Sequence, residues 1–169
     1  MTSVWVLPDG GEQHGDLLID VLTARGLATA ADRETYLGAV MADFDPPDHL
    51  PGVPEATDRI LGGLAGGERI AIYGDYDVDG VTAAAILTRV LRGISSKAEI
   101  VPYIPHRIDE GYGLNAAAVR DLHDRGVTLI VTVDCGVTAT AEAAVCRELG
   151  VDLIIDDTPE AVTLSCFDP

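Results

Sequence analysis

The sequence is poor in cysteine, and no apolar run in it is long enough to span a membrane. Its three cysteines, Cys135, Cys146 and Cys166, form no closely spaced metal-binding pair, and their odd number argues against a disulfide framework. The first ten residues lack the basic start and apolar stretch of a secretory leader. These absences predict a soluble cytoplasmic protein with reduced, structural cysteines and no membrane partner.

Basic residues are also scarce. The chain has 11 Lys and Arg against 28 Asp and Glu, which gives a formal net charge of −17. A surface of that sign repels phosphate backbones over long range. Binding of single-stranded nucleic acid or of a nucleotide is therefore disfavoured by the overall charge, and it would have to be local, metal-assisted or helped by a partner.

The 169 residues are 47% hydrophobic, enough for one sizeable core. From residue 55 onwards, short apolar runs alternate with helical patterns of about ten residues, and runs that are apolar on both faces are typical of buried parallel strands. The pattern predicts an α/β fold, a parallel sheet of about five strands covered by helices, over residues 55–169. Residues 1–54 are predicted to form a helical segment and a connector with four prolines between positions 43 and 54.

Three carboxylates occupy alternate positions, Asp75, Asp77 and Asp79, between a predicted strand at residues 70–73 and a helix predicted to begin after Gly80. In open α/β sheets ligands bind at this kind of turn. In one interpretation Asp79 caps the helix while the other two acids face water. In the other, the three acids are hard oxygen ligands for Mn²⁺ or Mg²⁺. A calcium-binding loop is disfavoured because a strand precedes the acids and residues 81–91 carry no acid.

A further acid, Asp134, follows the predicted strand at residues 127–133. An Asp before a Cys-Gly pair is often a turn residue. Because the carboxyl ends of parallel strands share one edge, Asp134 could equally join the metal site and bridge two ions, as in two-metal phosphoryl-transfer sites. The next strand ends in two more acids, Asp156 and Asp157.

Arg107 lies in a predicted loop after the strand at residues 100–103. A guanidinium group is suited to holding two phosphate oxygens. An ion pair with Asp109 or Glu110 is the alternative, and the sequence leaves both open.

Three motifs resemble, in order and spacing, the amino-terminal half of the RecJ family, which are single-strand-specific 5′→3′ DNA exonucleases of the DHH phosphoesterase superfamily. They are GDYDVDGVT at 74–82, IPHR with EGYGL at 104–107 and 110–114, and TVDCG at 132–136. The resemblance implies a Mn²⁺ or Mg²⁺ site, often binuclear, that activates water for phosphodiester hydrolysis. Its metal ligands would be Asp75, Asp77, Asp79 and Asp134, and the last three would be the catalytic residues. The resemblance also places Arg107 on the substrate side, together with His106, which stands where the family commonly has Asn.

The chain departs from the family at the motif that names it. Where the family has Asp-His-His, this chain has Asp157, Thr158 and Pro159. In the family one histidine is a metal ligand and the other lies against the scissile phosphate. Neither Thr nor Pro can supply an imidazole nitrogen. The family domain also extends further, so we expect a homodimer or another protein to cover the shortened sheet.

Three functions remain open from the sequence. The first is a RecJ-like metal-dependent phosphoesterase whose hydrolysis of single-stranded DNA is reduced or altered. The second is a catalytically degenerate binding or assembly module. The third is a repurposed small-molecule enzyme that uses the retained acidic metal site. Whether the chain is an enzyme is left open; if it is active, the resemblance implies a Mn-dependent phosphodiesterase.

Overall fold

The computed structural model describes residues 16–43, 45–157 and 161–164. The chain forms two compact units, Met1–Asp45 and Pro46–Pro169. The domain boundary predicted at residue 54 stays a prediction. Within the described residues, no helix combines the length and the apolar character that crossing a membrane requires.

The first unit contains two helices, α1 at Leu17–Ala24 and α2 at Ala30–Leu37, followed by a 3₁₀ turn at Met41–Asp43. The side chain of Asp16 caps α1 by accepting a hydrogen bond from the Leu18 N–H at 2.9 Å. Thr29 and Asp32 form a capping box at the start of α2. The predicted amino-terminal helical segment is present.

The second unit begins with a 3₁₀ turn at Pro47–His49 in the proline-rich stretch. Strands and helices then alternate along the chain. The helices are α3 (Val53–Gly66), α4 (Val78–Ile94), α5 (Ala116–Asp124) and α6 (Thr140–Leu149). The strands are β1 (Arg69–Gly74), β2 (Glu99–Tyr103), β3 (Leu129–Val133), β4 (Asp152–Asp157) and β5 (Ala161–Leu164).

The five strands form one sheet in the order β2-β1-β3-β4-β5. The first four are parallel, whereas β5 pairs with β4 in the antiparallel direction. The predicted α/β fold with a helix-covered parallel sheet is confirmed, and the direction of the fifth strand is a correction. Only residues 158–160 separate β4 from β5. A parallel pairing would need a crossover of a dozen or more residues.

The central strands β1 and β3 are buried on both faces, which explains their unbroken apolar sequence. Alternate residues of β1 point to opposite sides of the sheet. Ala71 and Tyr73 pack in the core beneath α5 and α6. Ile70 and Ile72 pack in the core beneath α3 and α4. The sheet therefore has a helical layer on each face.

Ion pairs lie at the amino ends of the strands. Arg59 of α3 binds Glu68 at 2.8 Å and Asp152 at 2.5 Å. Arg69, the first residue of β1, binds Glu99, the first residue of β2, at 2.6 Å. Helix α3 and the ends of three strands are thus joined by paired charges.

The order of the strands reverses next to β1. From β1 the chain goes to β2 on one side, and it then crosses to β3 on the other side. The carboxyl ends of β1 and β3 therefore meet at a topological switch point, where open α/β sheets form a crevice. The acidic turn lies at this point.

Candidate functional site

Asp75 follows the last residue of β1 and is fully buried. Its Oδ1 accepts a hydrogen bond from the Tyr76 N–H at 2.7 Å. Its Oδ2 is buried and has no hydrogen-bond partner among the described residues. A buried carboxylate oxygen without a partner is costly. A cation or a donor placed beside this atom would remove that cost.

The end of β1 and the first turn of α4 are in backbone contact. A Cβ added at Gly80 would lie 2.5 Å from the Asp75 nitrogen, and one added at Gly74 would lie 2.6 Å from the Gly80 oxygen. Only glycine fits at these two positions without a shift of the backbone. The two glycines of the motif therefore fix the acidic turn against the helix.

Asp77 is the cap of α4, because its carboxylate accepts hydrogen bonds from the N–H groups of Asp79 and Gly80, both at 3.0 Å. The interpretation in which Asp79 caps the helix is wrong: α4 begins at Val78, and Asp79 lies in its first turn. There the negative charge of Asp79 faces the positive end of the helix dipole. Both carboxylates are exposed.

Asp134 directly follows β3, and its backbone has a φ of 60°. Asp tolerates this left-handed conformation better than most residues do. The Asp134 N–H donates to the Asp156 carbonyl oxygen at 2.8 Å, which holds the turn against the end of β4. Nearby, Asp157 accepts a hydrogen bond from the Val137 N–H at 2.8 Å.

The pKa of the Asp134 carboxyl is raised above its ordinary value, first by burial and then by neighbouring negative charges. Those charges belong to Asp77, Asp79, Asp157 and Asp75, in order of decreasing effect. The acids predicted from two separate stretches of sequence therefore lie close enough to repel one another.

Proximity is not the same as a formed ligand set. Among residues 16–43, 45–157 and 161–164, no three His, Cys, Asp or Glu side chains are arranged to hold a metal ion. One oxygen of Asp77 already serves the helix cap. The donor set nevertheless fits a hard divalent cation, because it consists of carboxylates, includes the unpartnered Oδ2 of Asp75 and carries unbalanced negative charge. Their role as metal ligands stays a prediction.

The loop between β2 and α5 lies over the acidic turn. The Arg107 guanidinium carbon lies 4.8 Å from the centre of the Tyr76 ring. Tyr112 meets the same ring edge to face, with 5.9 Å between centroids. The pKa of Tyr112 is raised by burial and then by the charges of nearby acids, Asp75 first. A cation and two tyrosines thus border the carboxylates.

The alternative predicted for Arg107, an ion pair with Asp109 or Glu110, is not what the structure shows. Asp109 pairs with the Nδ1 of His106 at 2.8 Å, and Glu110 accepts from the Tyr103 hydroxyl at 2.5 Å. The guanidinium carbon lies over the Tyr76 ring instead. His106 is exposed in the same loop, and its predicted role in substrate binding stays a prediction.

Sequence reasoning missed the part played by Tyr76 and Tyr112. The available signal was an aromatic residue inside the acidic motif and another between two glycines in the loop. Cys135 and Cys146 are both buried in the core, and that their thiols stay reduced remains a prediction. Burial raises the pKa of Cys135 to about 12, so this thiol is not a nucleophile at neutral pH. Cys166, Thr158 and Pro159 lie outside the described residues.

Comparison with known proteins places the chain in a family. Residues 69–162, more than half of the chain, match the model described as "DHH family, N-terminal domain". The single-stranded-DNA-specific exonuclease RecJ of Bacillus subtilis is 43% identical over 144 residues, which cover 85% of this chain and 18% of that protein. The same exonuclease of Thermus thermophilus is 42% identical over 118 residues, which cover 68% of this chain and 17% of that protein. The chain therefore spans less than a fifth of the length of these relatives.

Solved structures agree. A crystal structure of exonuclease RecJ bound to manganese superposes with a TM-score of 0.60 at 40% identity, covering 68% of this chain and 29% of that one. The structure of RecJ in complex with Mn²⁺ from Thermus thermophilus gives a TM-score of 0.57 at 33% identity, covering 85% of this chain and 21% of that one. In sequence and in fold the chain is RecJ-like, and it belongs to the DHH family.

Proposed function

We propose that this chain contributes the acidic half of a RecJ-type metal-dependent phosphodiesterase site that acts on single-stranded DNA. The proposed ligands of Mn²⁺ or Mg²⁺ are Asp75, Asp77, Asp79 and Asp134. Divalent ions at such a site neutralise phosphate charge and make water a better nucleophile at neutral pH.

The observation that carries the proposal is the position of Asp134 beside the turn that follows β1. Its raised pKa reports four other carboxylates nearby, contributed by the turn after β1 and by the end of β4. Carboxylates that repel one another at the switch point of a parallel sheet are the arrangement that a bound cation would stabilise. The two solved RecJ structures that resemble the chain hold manganese.

On the substrate side we assign Arg107 to a phosphate group. Its guanidinium carbon lies over the Tyr76 ring at the border of the acids, and a guanidinium group can bind two phosphate oxygens at once. This local cation, together with bound metal, would offset the repulsion expected from the net charge of −17. His106 would contribute its exposed ring to the same side.

A second candidate is a metal-binding module that does not hydrolyse DNA. It is favoured by Thr158 and Pro159, which stand where the family has its two histidines. Both candidates bind metal at the acidic site, and they differ only in whether phosphodiester bonds of DNA are hydrolysed there. A cytoplasmic location belongs to either proposal, in keeping with a sequence of only three cysteines, of which Cys135 and Cys146 are buried.

The test is a calorimetric titration of Mn²⁺ into the 169-residue chain, with cleavage of a 5′-phosphorylated single-stranded oligonucleotide followed in the same samples. Asp134→Asn and Asp77→Asn should each weaken Mn²⁺ binding by about tenfold or more, since each removes a negative ligand. Asp58→Asn, the same change on an exposed position of α3, is the matched control and should bind Mn²⁺ as the wild type does.

Cleavage that depends on Mn²⁺ and is lost in both site variants would support the RecJ-type activity. Mn²⁺ binding without cleavage would support the second candidate instead. If the wild-type chain bound no Mn²⁺, or if all three variants bound it equally, both candidates would be wrong.

A further inference from the structure

The loop at residues 104–115 carries both Arg107 and Tyr112, the side chains that contact Tyr76 in the acidic turn. Gly111 and Gly113, on either side of Tyr112, have positive φ angles of 79° and 77°. A surface loop with two glycines in the left-handed backbone conformation is not held in one conformation by backbone preference alone. The contacts that fix the loop therefore decide where Arg107 lies.

The side chain of Glu110 makes three of those contacts. Its Oε2 accepts a hydrogen bond from the Tyr103 hydroxyl at 2.5 Å, and its Oε1 accepts one from the His106 N–H at 2.8 Å. The Asn115 amide nitrogen also lies 3.5 Å from Oε2. One carboxylate thus joins the end of β2, the first half of the loop and the residue that caps α5.

A second set of contacts ties the loop to β1. The hydroxyl of Tyr73 donates to the Gly113 carbonyl oxygen at 2.9 Å and accepts from the Asn115 amide nitrogen at 3.2 Å. The rings of Tyr73 and Tyr103 are stacked, with 5.0 Å between centroids. Because Asp75 follows β1 directly, the same strand anchors the loop and places the buried acid of the site.

We infer that Glu110 is a positioning residue, which holds the β2–α5 loop over the acidic turn and so keeps Arg107 and Tyr112 against Tyr76. Its side-chain hydrogen bonds go to His106 within the loop and to Tyr103 and Asn115 at the two ends of the loop. Its loss should therefore release the loop and leave the sheet intact. The consequence for substrate binding rests on the proposed function, whereas the effect on the loop does not.

The ionisation of Glu110 supports this role. Its pKa is lowered, chiefly by the Tyr103 hydroxyl and then by the His106 N–H. The carboxylate is therefore charged at neutral pH, and hydrogen bonds to an ionised acceptor are stronger than neutral ones.

Hydrogen–deuterium exchange on the intact chain tests the inference. In Glu110→Ala, amides of the loop should exchange about tenfold faster, as expected for loss of hydrogen bonds to a carboxylate, while β1, β3 and α5 keep their protection. Glu110→Gln should restore most of the protection, because its amide oxygen can accept from the His106 N–H and its NH₂ can donate to the Tyr103 hydroxyl.

Asp109→Ala is the matched control. It removes the same charge from the same loop, but it breaks only an exposed pair with His106, so loop exchange should change by less than about threefold. Equal exchange in Glu110→Ala and wild type would overturn the inference. Loss of protection throughout the sheet would overturn it as well, since Glu110 would then support the fold and not the loop.

Substrate binding gives the second readout. Glu110→Ala should weaken binding of a 5′-phosphorylated single-stranded oligonucleotide by about tenfold and leave the Mn²⁺ affinity unchanged, because the acids lie on a different turn. A parallel loss of Mn²⁺ affinity would contradict the positioning role. If the wild-type chain binds no oligonucleotide, the proposed function fails, and the exchange measurement alone decides whether Glu110 holds the loop.

Discussion

Gly80 lies against Asp75 so closely that a Cβ at residue 80 would stand 2.5 Å from the Asp75 nitrogen and 2.7 Å from its carbonyl oxygen. Both atoms belong to the backbone, which cannot rotate away as a side chain can. The contact joins the carboxyl end of β1 to the first turn of α4. The position of the buried acid therefore depends on a residue with no side chain.

Gly80→Ala should lower the free energy of unfolding by about 3 kcal/mol or more, because the added methyl group overlaps fixed atoms. Gly93→Ala is the control in the same helix, where a Cβ meets nothing within 4 Å. That change should raise stability by about 0.5–1 kcal/mol through helix propensity. Urea denaturation measures the free energy of unfolding of both variants. Equal changes in Gly80→Ala and Gly93→Ala would contradict a close backbone contact at Gly80.

Asp77 has two separable roles, the helix cap and the proposed metal ligand. Asp77→Asn keeps the capping oxygen, so its free energy of unfolding should stay within about 0.5 kcal/mol of the wild-type value. Asp77→Ala should lower the free energy of unfolding by about 1 kcal/mol. Both should lose Mn²⁺ affinity. Thermal melts in the presence of a chelator, together with calorimetry, separate the two effects. An alanine variant as stable as the asparagine variant would contradict the cap.

Asp134→Asn should stabilise the metal-free protein. The raised pKa means that the ionised form is disfavoured in the folded state. A neutral side chain avoids the cost of burying the charge and the repulsion from the acids after β1 and at the end of β4, which should stabilise the fold by up to about 1 kcal/mol. Asn also tolerates the φ of 60°. Asp134→Ala removes the same charge but tolerates this conformation poorly, and it should be less stable than the asparagine variant by roughly 1 kcal/mol. Melting temperatures in chelator test this order, and the reverse order would contradict it.

The lowered pKa of Glu110 gives a pH dependence to the loop. An acid whose pKa falls on folding stabilises the folded state above its ordinary value of 4.5, and this contribution is lost as the pH falls through the lower, folded-state value. The Glu110→Gln variant does not titrate at this position and serves as the reference. The exchange protection of the wild-type loop, compared with this variant, should therefore persist at pH 4.5 and decline only in more acidic solution. Exchange measured for both proteins across that range tests the sign. A loss that began well above pH 4.5 would refute the assignment.

Thr88 is buried in α4 with a hydroxyl that has no hydrogen-bond partner among the described residues. Thr88→Val replaces the hydroxyl by a methyl group of similar size and should leave stability unchanged or raise it by up to about 1 kcal/mol. Thr128→Val is the contrasting change, because the Thr128 hydroxyl donates to Glu68 at 2.6 Å. That variant should lose about 1 kcal/mol or more. Chemical denaturation of the pair measures the difference.

The sequence was sufficient to predict the alternation of strands and helices, since both central strands are apolar on both faces. The spacing of apolar residues predicted a start of α4 after Gly80, later than the observed start at Val78. Apolar spacing indicates a helix only where its buried stripe begins, and Val78 is 79% exposed. The cap at Asp77 was recognisable only from hydrogen bonds. The direction of β5 was likewise outside the reach of periodicity, because it depends on the length of the connection after β4.

Of the candidate site, the sequence predicted that the acids after β1 and β3 would lie at one edge, and the structure places them there. It did not predict the contacts of Glu110 with Tyr103 or of Tyr73 with Gly113. These join residues from different strands and a loop, so no local pattern of sequence indicates them. The exposure of Tyr112 beside the acids was missed for the same reason.

The paired charges at the amino ends of the strands have a consequence for how quickly a cation reaches the other end. Arg59 and Arg69 offset most of the charge of Glu68, Asp152 and Glu99, whereas the acids after β1 and β3 repel one another. The electric field of the sheet is therefore uneven along its strands, and it draws small cations toward the acidic turn before any ligand bond forms. Capture of a divalent ion should accordingly be fast in dilute buffer and slow down as added salt shortens the range of that field.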